Sequence, residues 1–221
     1  MTNLIQHPNG MFIRPDTYDH SIIREINRSY GWMAVKDRVV LDVGANIGAF
    51  THWALANGAK EVWAFEPDKE NFELLTKNVG SDARAKLHNS ALVSSDAKSI
   101  DFFLTDGTNH GNYSMYSIRG REKVTVGASN FSKVLGSVLP EAIKMDCEGA
   151  EYDLLLNGGT FTLPDSVREF SMELHYNTPA SQYIPWFQLA EKVIEGFADW
   201  ETVVPPKRNE KLWHTLGGWR R

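Results

Sequence analysis

Two stretches of this chain place carboxylates and glycines where a folded backbone would turn. The first is Asp42-Val43-Gly44-Ala45-Asn46-Ile47-Gly48, entered through the apolar run Val39-Val40-Leu41. An apolar strand ending in an acid, then glycines, then the apolar-rich segment Ile47 to Ala56 predicts a strand, a tight turn and a helix start. Such a turn is expected to bring bare backbone N–H groups up to a ligand at a helix N-terminus. Glycine suits positions where φ is positive or where a side chain would block the ligand. Asn46 tolerates left-handed geometry better than most residues. Glu66 follows Glu61-Val62-Trp63-Ala64-Phe65, precedes Pro67-Asp68, and lies 24 residues after Asp42. That distance is one strand–helix–strand unit, and a carboxylate at the second strand's tip can accept hydrogen bonds from both hydroxyls of a ribose. The pair predicts a nucleoside-containing cofactor.

The second stretch is Ala142-Ile143-Lys144-Met145-Asp146-Cys147-Glu148-Gly149-Ala150-Glu151, followed by a helix from Tyr152 to Leu156. Asp146 and Glu148 should stand at the carboxyl end of a strand. Paired carboxylates there can take a proton, bind a cation or position a hydroxyl. The plainer alternative is capping of the following helix, and for Glu151 that structural role is the expectation. His175 follows the strand Val167 to Leu174 and is a candidate general base, because an imidazole titrates near neutrality; a merely packed imidazole is the alternative. Cys147 reads as a small apolar residue rather than a nucleophile. No metal ligands are assigned.

The elements that must position these residues alternate strand and helix. Strand 39–43 leads to helix 47–57, strand 61–66 and helix 68–79. Phe72, Leu75 and Val79 line one side of that second helix, with Asp68 and Glu70 in its first turn favouring the macrodipole. Lys86 to Val93 reads as a single third strand, with Ser90 and Ala91 leaving it at the edge where open α/β sheets take ligands. Ser99 to Leu104 and Lys123 to Val126 suggest a β-insertion within about 94–130, with a loop between them and a short helix from Asn130 to Leu135. Tyr183 to Phe197 is an amphipathic helix, and Trp200 to Val204 and Lys211 to Leu216 are closing strands. Upstream, Ser21 to Tyr30 is helical, with Ile22, Ile23 and Ile26 on one face; it either crosses the open edge of the cofactor site or only packs on the sheet.

With 221 residues, 42% of them hydrophobic, the chain can bury one sizeable core. It contains no run of 18 apolar residues, so no membrane span is expected. The polar start, Met1 to Gly10, lacks the pattern of a secretory signal. One cysteine excludes an internal disulfide and suits a reducing, cytoplasmic setting. A formal net charge of −5 provides no basic field, which makes nucleic acid an unlikely partner class.

A dinucleotide fingerprint places glycines at its first, third and sixth positions; here these are Gly44, Asn46 and Ala49. Losing the middle glycine blocks close approach of a pyrophosphate. The pattern Asp-x-Gly-x-Asn-x-Gly instead resembles the first motif of class I S-adenosylmethionine (SAM)-dependent methyltransferases. Taken with Ile143-Lys144-Met145-Asp146-Cys147-Glu148-Gly149-Ala150-Glu151, and with the upstream Phe12-Ile13-Arg14-Pro15-Asp16-Thr17-Tyr18-Asp19, it resembles the FkbM-type methyltransferases over roughly residues 12–176. Met145 and Cys147 stand where that family tends to carry aliphatic residues.

The resemblance implies an α/β, Rossmann-like seven-stranded sheet, mostly parallel with the last strand antiparallel and helices on both faces. It implies one methyltransferase domain at 39–221, with 1–38 as an N-terminal extension or lid. The implied reaction is O-methylation of a small-molecule or carbohydrate hydroxyl, with S-adenosylhomocysteine as product. On that reading Gly44, Asn46 and Gly48 take the cofactor's methionine end, with Asp42 beneath them as an indirect acceptor. Glu66 holds the ribose, and Pro67, Ser90 and Ala91 border adenine. Asp146 borders both cofactor and acceptor; Asp146, Glu148 and His175 line the acceptor site, with His175 as base. Segments 11–30, 105–121 and 176–186 would read the acceptor. A ribose 2′-O-methyltransferase, a binding-only SAM domain and a NAD-dependent dehydrogenase are the competing classes. Base methylation calls for an Asn/Asp-Pro-Pro-aromatic turn, and the turn here is Asp-Cys-Glu-Gly. Ribose methylation calls for a second lysine, and residues 165–180 contain none.

Overall fold

The computed structural model describes residues 3–105, 114–117, 121–156 and 163–175, together with the backbone of 200–204 and 214–220. A short hairpin, β1 (Ile5–Gln6) and β2 (Phe12–Ile13), precedes helix α1 (Asp19–Ser29). The core alternation follows: β3 (Val39–Val43), α2 (Ala49–Ala56), β4 (Glu61–Phe65), α3 (Lys69–Val79) and β5 (Ala85–His88). Next come β6 (Ala91–Val93), β7 (Ser99–Leu104), β8 (Glu122–Asn130) and α4 (Phe131–Val138). The chain then returns to the main sheet through β9 (Ala142–Met145), α5 (Glu151–Leu156) and β10 (Glu169–Leu174), and closes with β11 (Trp200–Val204) and β12 (His214–Arg220).

The main sheet has the order β11-β12-β10-β9-β3-β4-β5. Strands β10, β9, β3, β4 and β5 pair in parallel, whereas β12 runs antiparallel to both β10 and β11. The order reverses at β3, which has β4 on one side and β9 on the other. Loops from two directions therefore meet at the carboxyl ends of these strands, the crevice where such sheets take ligands.

Alternation along the strands divides the core in two. Leu41, Val43, Ile143 and Met145 face α4 and α5 together with Phe170, Met172 and Leu174. Val40, Val62, Ala64 and Ala142 face the other way, against α2, α3 and the N-terminal segment, which contributes Met11, Ile13, Ile26, Tyr30, Met33 and Val35. Residues 11–35 thus share one core with the first half of the sheet. Asp42 and Lys144 lie on this second face, opposite each other in the parallel register.

Two expectations are corrected. Lys86 to Val93 is not one strand: the chain leaves the main sheet after His88, and β6 pairs in parallel with β8 in a separate three-stranded sheet with β7. Asn89 is the pivot, because its amide donates to the carbonyls of Glu66 (2.9 Å) and Pro67 (3.1 Å) and holds the break against the tip of β4. Asp68 belongs to the N-cap of α3 rather than its first turn; its carboxylate accepts the Asn71 N–H at 2.8 Å. The helix expected over 183–197 lies outside the described residues. Among the described residues no helix is long and apolar enough to cross a membrane.

Candidate active site

The turn from β3 to α2 is shaped by close approach. Gly44 has φ +76°, and a Cβ there would overlap the backbone carbonyl of Asp146. Gly48, φ +88°, starts α2 from a left-handed position with Leu75 packed beneath it. Asn46 sits between them at φ +52°. Within the turn itself, residues 44–48, the backbone N–H groups are already bonded. Gly44 and Ala45 donate to the Phe65 carbonyl, Gly48 donates to Ala45, and Ile47 donates to the Asn46 side chain. Asn46 donates to Glu66 Oε2 at 2.7 Å. Residues 44–48 are thus closed on themselves and on the tip of β4.

Glu66 is 5% exposed. Its two oxygens accept the N–H groups of Asn46 (2.7 Å) and Asp68 (2.9 Å), so it clamps the β3 turn to the start of α3. Burial raises its pKa to about 7 against the opposing pull of those two N–H groups. A carboxylate offers about four acceptor positions, so two such bonds leave it able to accept more. Pro67 and Ser90 lie beside this corner through the Asn89 bridge, and Ser90 shares a hydroxyl contact of 3.1 Å with Ser129. Ala91 is the first residue of β6.

Asp42 is fully buried beneath the turn. It accepts the Thr51 hydroxyl of α2 at 2.6 Å and pairs with Lys144 Nζ at 3.3 Å. Lys144 donates to the Gly44 carbonyl at 2.7 Å and lies 3.8 Å from Asp146. Burial works against its charge, but Asp42 and Asp146 outweigh it and raise the Lys144 pKa. This buried ammonium joins the two sequence motifs, a role not assigned to it from the sequence. The available signal was a lone cation inside an apolar strand two residues before an acid.

Asp146, Glu148 and His175 are brought together as expected of acceptor-site residues. His175 is 4% exposed just beyond β10; its Nε2 lies 3.7 Å from Asp146 Oδ1 and 3.5 Å from Glu148 Oε2. Its Nδ1 lies 2.9 Å from Glu151 Oε1, which also accepts the Cys147 N–H. Glu151 is therefore more than a first-turn residue: fully buried, it sets the orientation of the imidazole. Burial alone would lower the His175 pKa, but Glu151, Glu148 and Asp146 overcome it and hold the imidazole well above its usual range. Burial would raise Glu151, but His175 and the Cys147 N–H bring it down. Glu148 occupies a left-handed position, φ +55°, and burial pushes it up to about 8 despite His175 nearby. Burial also raises the Cys147 thiol well above its usual value, which removes it as a thiolate nucleophile. Tyr30, arriving from the end of α1, donates to Asp146 at 3.4 Å, a contact nothing in the sequence announces.

The donor atoms of Asp146, Glu148 and His175 lie within 4.8 Å of one another. Three such donor atoms this close together form a set able to hold a cation.

Comparison with known proteins gives the family and the fold. Residues 42–204 match the methyltransferase FkbM domain. The hexuronic acid methyltransferase AglP of Haloferax volcanii is 31% identical over 150 residues, covering 64% of this chain and 58% of its own length. The crystal structure of methyltransferase FkbM from Methylobacillus flagellatus superposes with a TM-score of 0.53 at 14% identity, over 89% of this chain and 48% of that one. A NADB-Rossmann superfamily protein from Streptococcus agalactiae superposes with a TM-score of 0.50 at 14% identity, over 89% of this chain and 68% of that one. At such identities the two structures speak to fold alone. The chain spans little more than half the length of the curated relative and about half that of the first structure. With both signature motifs inside the matched region, this chain belongs to the FkbM methyltransferase domain family.

Proposed function

We propose that this protein is a SAM-dependent methyltransferase acting on a hydroxyl of a sugar or glycan. The observation that carries the reading is the neighbourhood of two groups. Glu66 at the tip of β4 and the Asp146–Glu148–His175 cluster beyond β9 and β10 share one edge of the sheet, joined across β3 by Lys144 and Asp42. Family membership supports SAM as donor. The hexuronic acid methyltransferase relative supports a carbohydrate acceptor.

The residues fit the cofactor in two respects. Glu66 retains acceptor capacity suited to ribose hydroxyls, with Pro67, Ser90 and Ala91 at the same corner for adenine. The partly exposed carboxylate of Asp146 suits the cationic methionine portion, with Asp42 buried behind it on Lys144. Gly44 and Gly48 contribute by letting the turn pack closely against the Asp146 carbonyl and Leu75, and Asn46 by its left-handed backbone and its N–H bond to Glu66. SAM bound there supplies a methyl group already activated by its sulfonium. The protein's task is then to align an acceptor oxygen and accept its proton. Asp146 and Glu148 are placed to orient hydroxyls, and the His175–Glu148 pair is the proton-accepting centre. Residues 1–38, through Tyr30, act as a cover on this edge.

The test is mass-spectrometric detection of S-adenosylhomocysteine and of a methylated product. The protein is incubated with SAM and a panel of hexuronic acids, hexuronate-bearing glycans and neutral sugars. A methylated carbohydrate is the expected result. SAM binding without turnover on any carbohydrate would overturn the acceptor class, and absence of SAM binding would overturn the assignment altogether.

A further inference from the structure

The cluster beyond β9 and β10 gathers four carboxyl groups around one imidazole, with Arg121 also acting on Glu148. Asp146, Glu148, Glu151 and Glu173 surround the single imidazole of His175, while Lys144 is already engaged by Asp42 and the Gly44 carbonyl. Glu173, on the face of β10 opposite Met172 and Leu174, is only 8% exposed. Its carboxylate senses Asp146, His175 and Glu148, and it has no hydrogen-bond or ion-pair partner among the described residues. A buried carboxylate is ordinarily paired, hydrogen-bonded or bound to a metal. Here the groups nearest to it are mostly further carboxylates.

The separations of the two carboxylates from His175 Nε2 match what a cation needs. Ligand bonds of about 2.1 Å place neighbouring donors about 3.0 Å apart at a right angle and about 4.2 Å apart across the ion. The separations from His175 Nε2, 3.5 Å to Glu148 and 3.7 Å to Asp146, fall between these limits. The other ring nitrogen is already held by Glu151 at 2.9 Å. A carboxylate on the far nitrogen of a ligating histidine is the usual outer partner of a metal site, fixing tautomer and ring direction. Asp146 and Glu148 remain partly exposed, which leaves room for water or an acceptor oxygen on the ion.

We propose that Asp146, Glu148 and His175 Nε2 bind a divalent first-row transition ion, with Glu151 orienting the imidazole. Two hard oxygens and one imidazole suit Mn2+ or Zn2+ better than Ca2+. The site stands whether or not the acceptor is a sugar, because it is defined by the protein alone; with the ion bound His175 and Glu148 are ligands, and their proton-accepting role belongs to the ion-free protein.

The test is titration of chelator-treated protein with manganese(II) chloride, followed by electron paramagnetic resonance of free Mn2+ and by calorimetry. The wild type should bind one ion per chain. Asp146→Asn, Glu148→Gln and His175→Gln should each weaken binding at least about tenfold, and Glu151→Gln should weaken it about 10–100-fold by releasing the ring. Asp96→Asn, at an exposed ion pair with Lys133, should bind as the wild type does. If His175→Gln does not fold, the Asp146 and Glu148 variants decide. No saturable binding by the wild type, or equal affinity in Asp146→Asn and Glu148→Gln, would overturn the site. Loss of methyl transfer with Mn2+ binding intact would instead count against the proposed function alone.

Discussion

His175 is gripped at Nδ1 by Glu151 and looks through Nε2 onto Asp146 and Glu148. The same carboxylates that position it also hold its proton, so in metal-free protein at neutral pH it is an imidazolium rather than a ready base. Glu148, raised to about 8, is likewise largely protonated below that pH. The proton-accepting form of the pair accumulates only as pH rises. In chelator-treated protein kcat should therefore climb through about pH 8, and Glu148→Gln should lose that limb; a flat wild-type profile would detach the pair from the chemistry. A second prediction concerns Lys144. Removing one partner of a buried ion pair strands the other, so Lys144→Met should destabilise by about 3–5 kcal/mol in urea unfolding. Asp42→Asn combined with it should recover part of the loss. Lys144 and Asp42 also mark where the local sequence stops being readable. Asp146, Glu148 and His175 were visible as polar residues at strand tips. The role of Lys144 depends on strand register, because β9 lies beside β3 and brings Lys144 opposite Asp42, a pairing between residues distant in the chain.

At the scale of elements, the β3–α2 turn is where backbone conformation and packing coincide. Ala at Gly44 meets both a positive φ and the carbonyl of Asp146. Conformational strain alone costs about 1–3 kcal/mol, and the overlap pushes the β9 tip away as well. Gly44→Ala should lower Tm and weaken SAM binding together, read by calorimetry and thermal unfolding; wild-type affinity in a folded variant would separate the turn from the cofactor. The strand–turn–helix pattern here was legible because local spacing specifies it. The break between β5 and β6 was not. Residues 86–93 read as one extended run, and what divides them is the Asn89 side chain reaching back to Glu66 and Pro67. The partner of β6 is β8, which arrives only after the intervening β7, so local sequence carries no trace of the switch.

Across the whole molecule, cofactor binding and stability are coupled through Glu66. Its folded pKa of about 7 lies above the ordinary carboxylate value because burial outweighs the two N–H groups it accepts. Between those values the folded state holds a proton that the unfolded chain has released. The stability that this proton represents is present at mildly acidic pH and is lost as pH rises through about 7. The ligand-free protein should therefore lose stability from this group over that range. Ionisation has the opposite consequence for the cofactor, because a carboxylate accepts two ribose hydroxyls while a protonated acid must use one oxygen as a donor. SAM affinity should rise as pH passes through about 7, and the increase in Tm caused by saturating SAM should grow with it, since a ligand that binds only the folded state stabilises by mass action. Thermal unfolding at pH 5.5, 7 and 8.5 with and without SAM measures both trends at once. Glu66→Gln, which cannot ionise, should abolish the pH dependence of the SAM-induced shift and reduce its size at pH 8.5. A shift that stays the same at all three pH values, or that survives intact in Glu66→Gln, would place the ribose elsewhere on the sheet edge and leave Glu66 as the clamp of the β3 turn only.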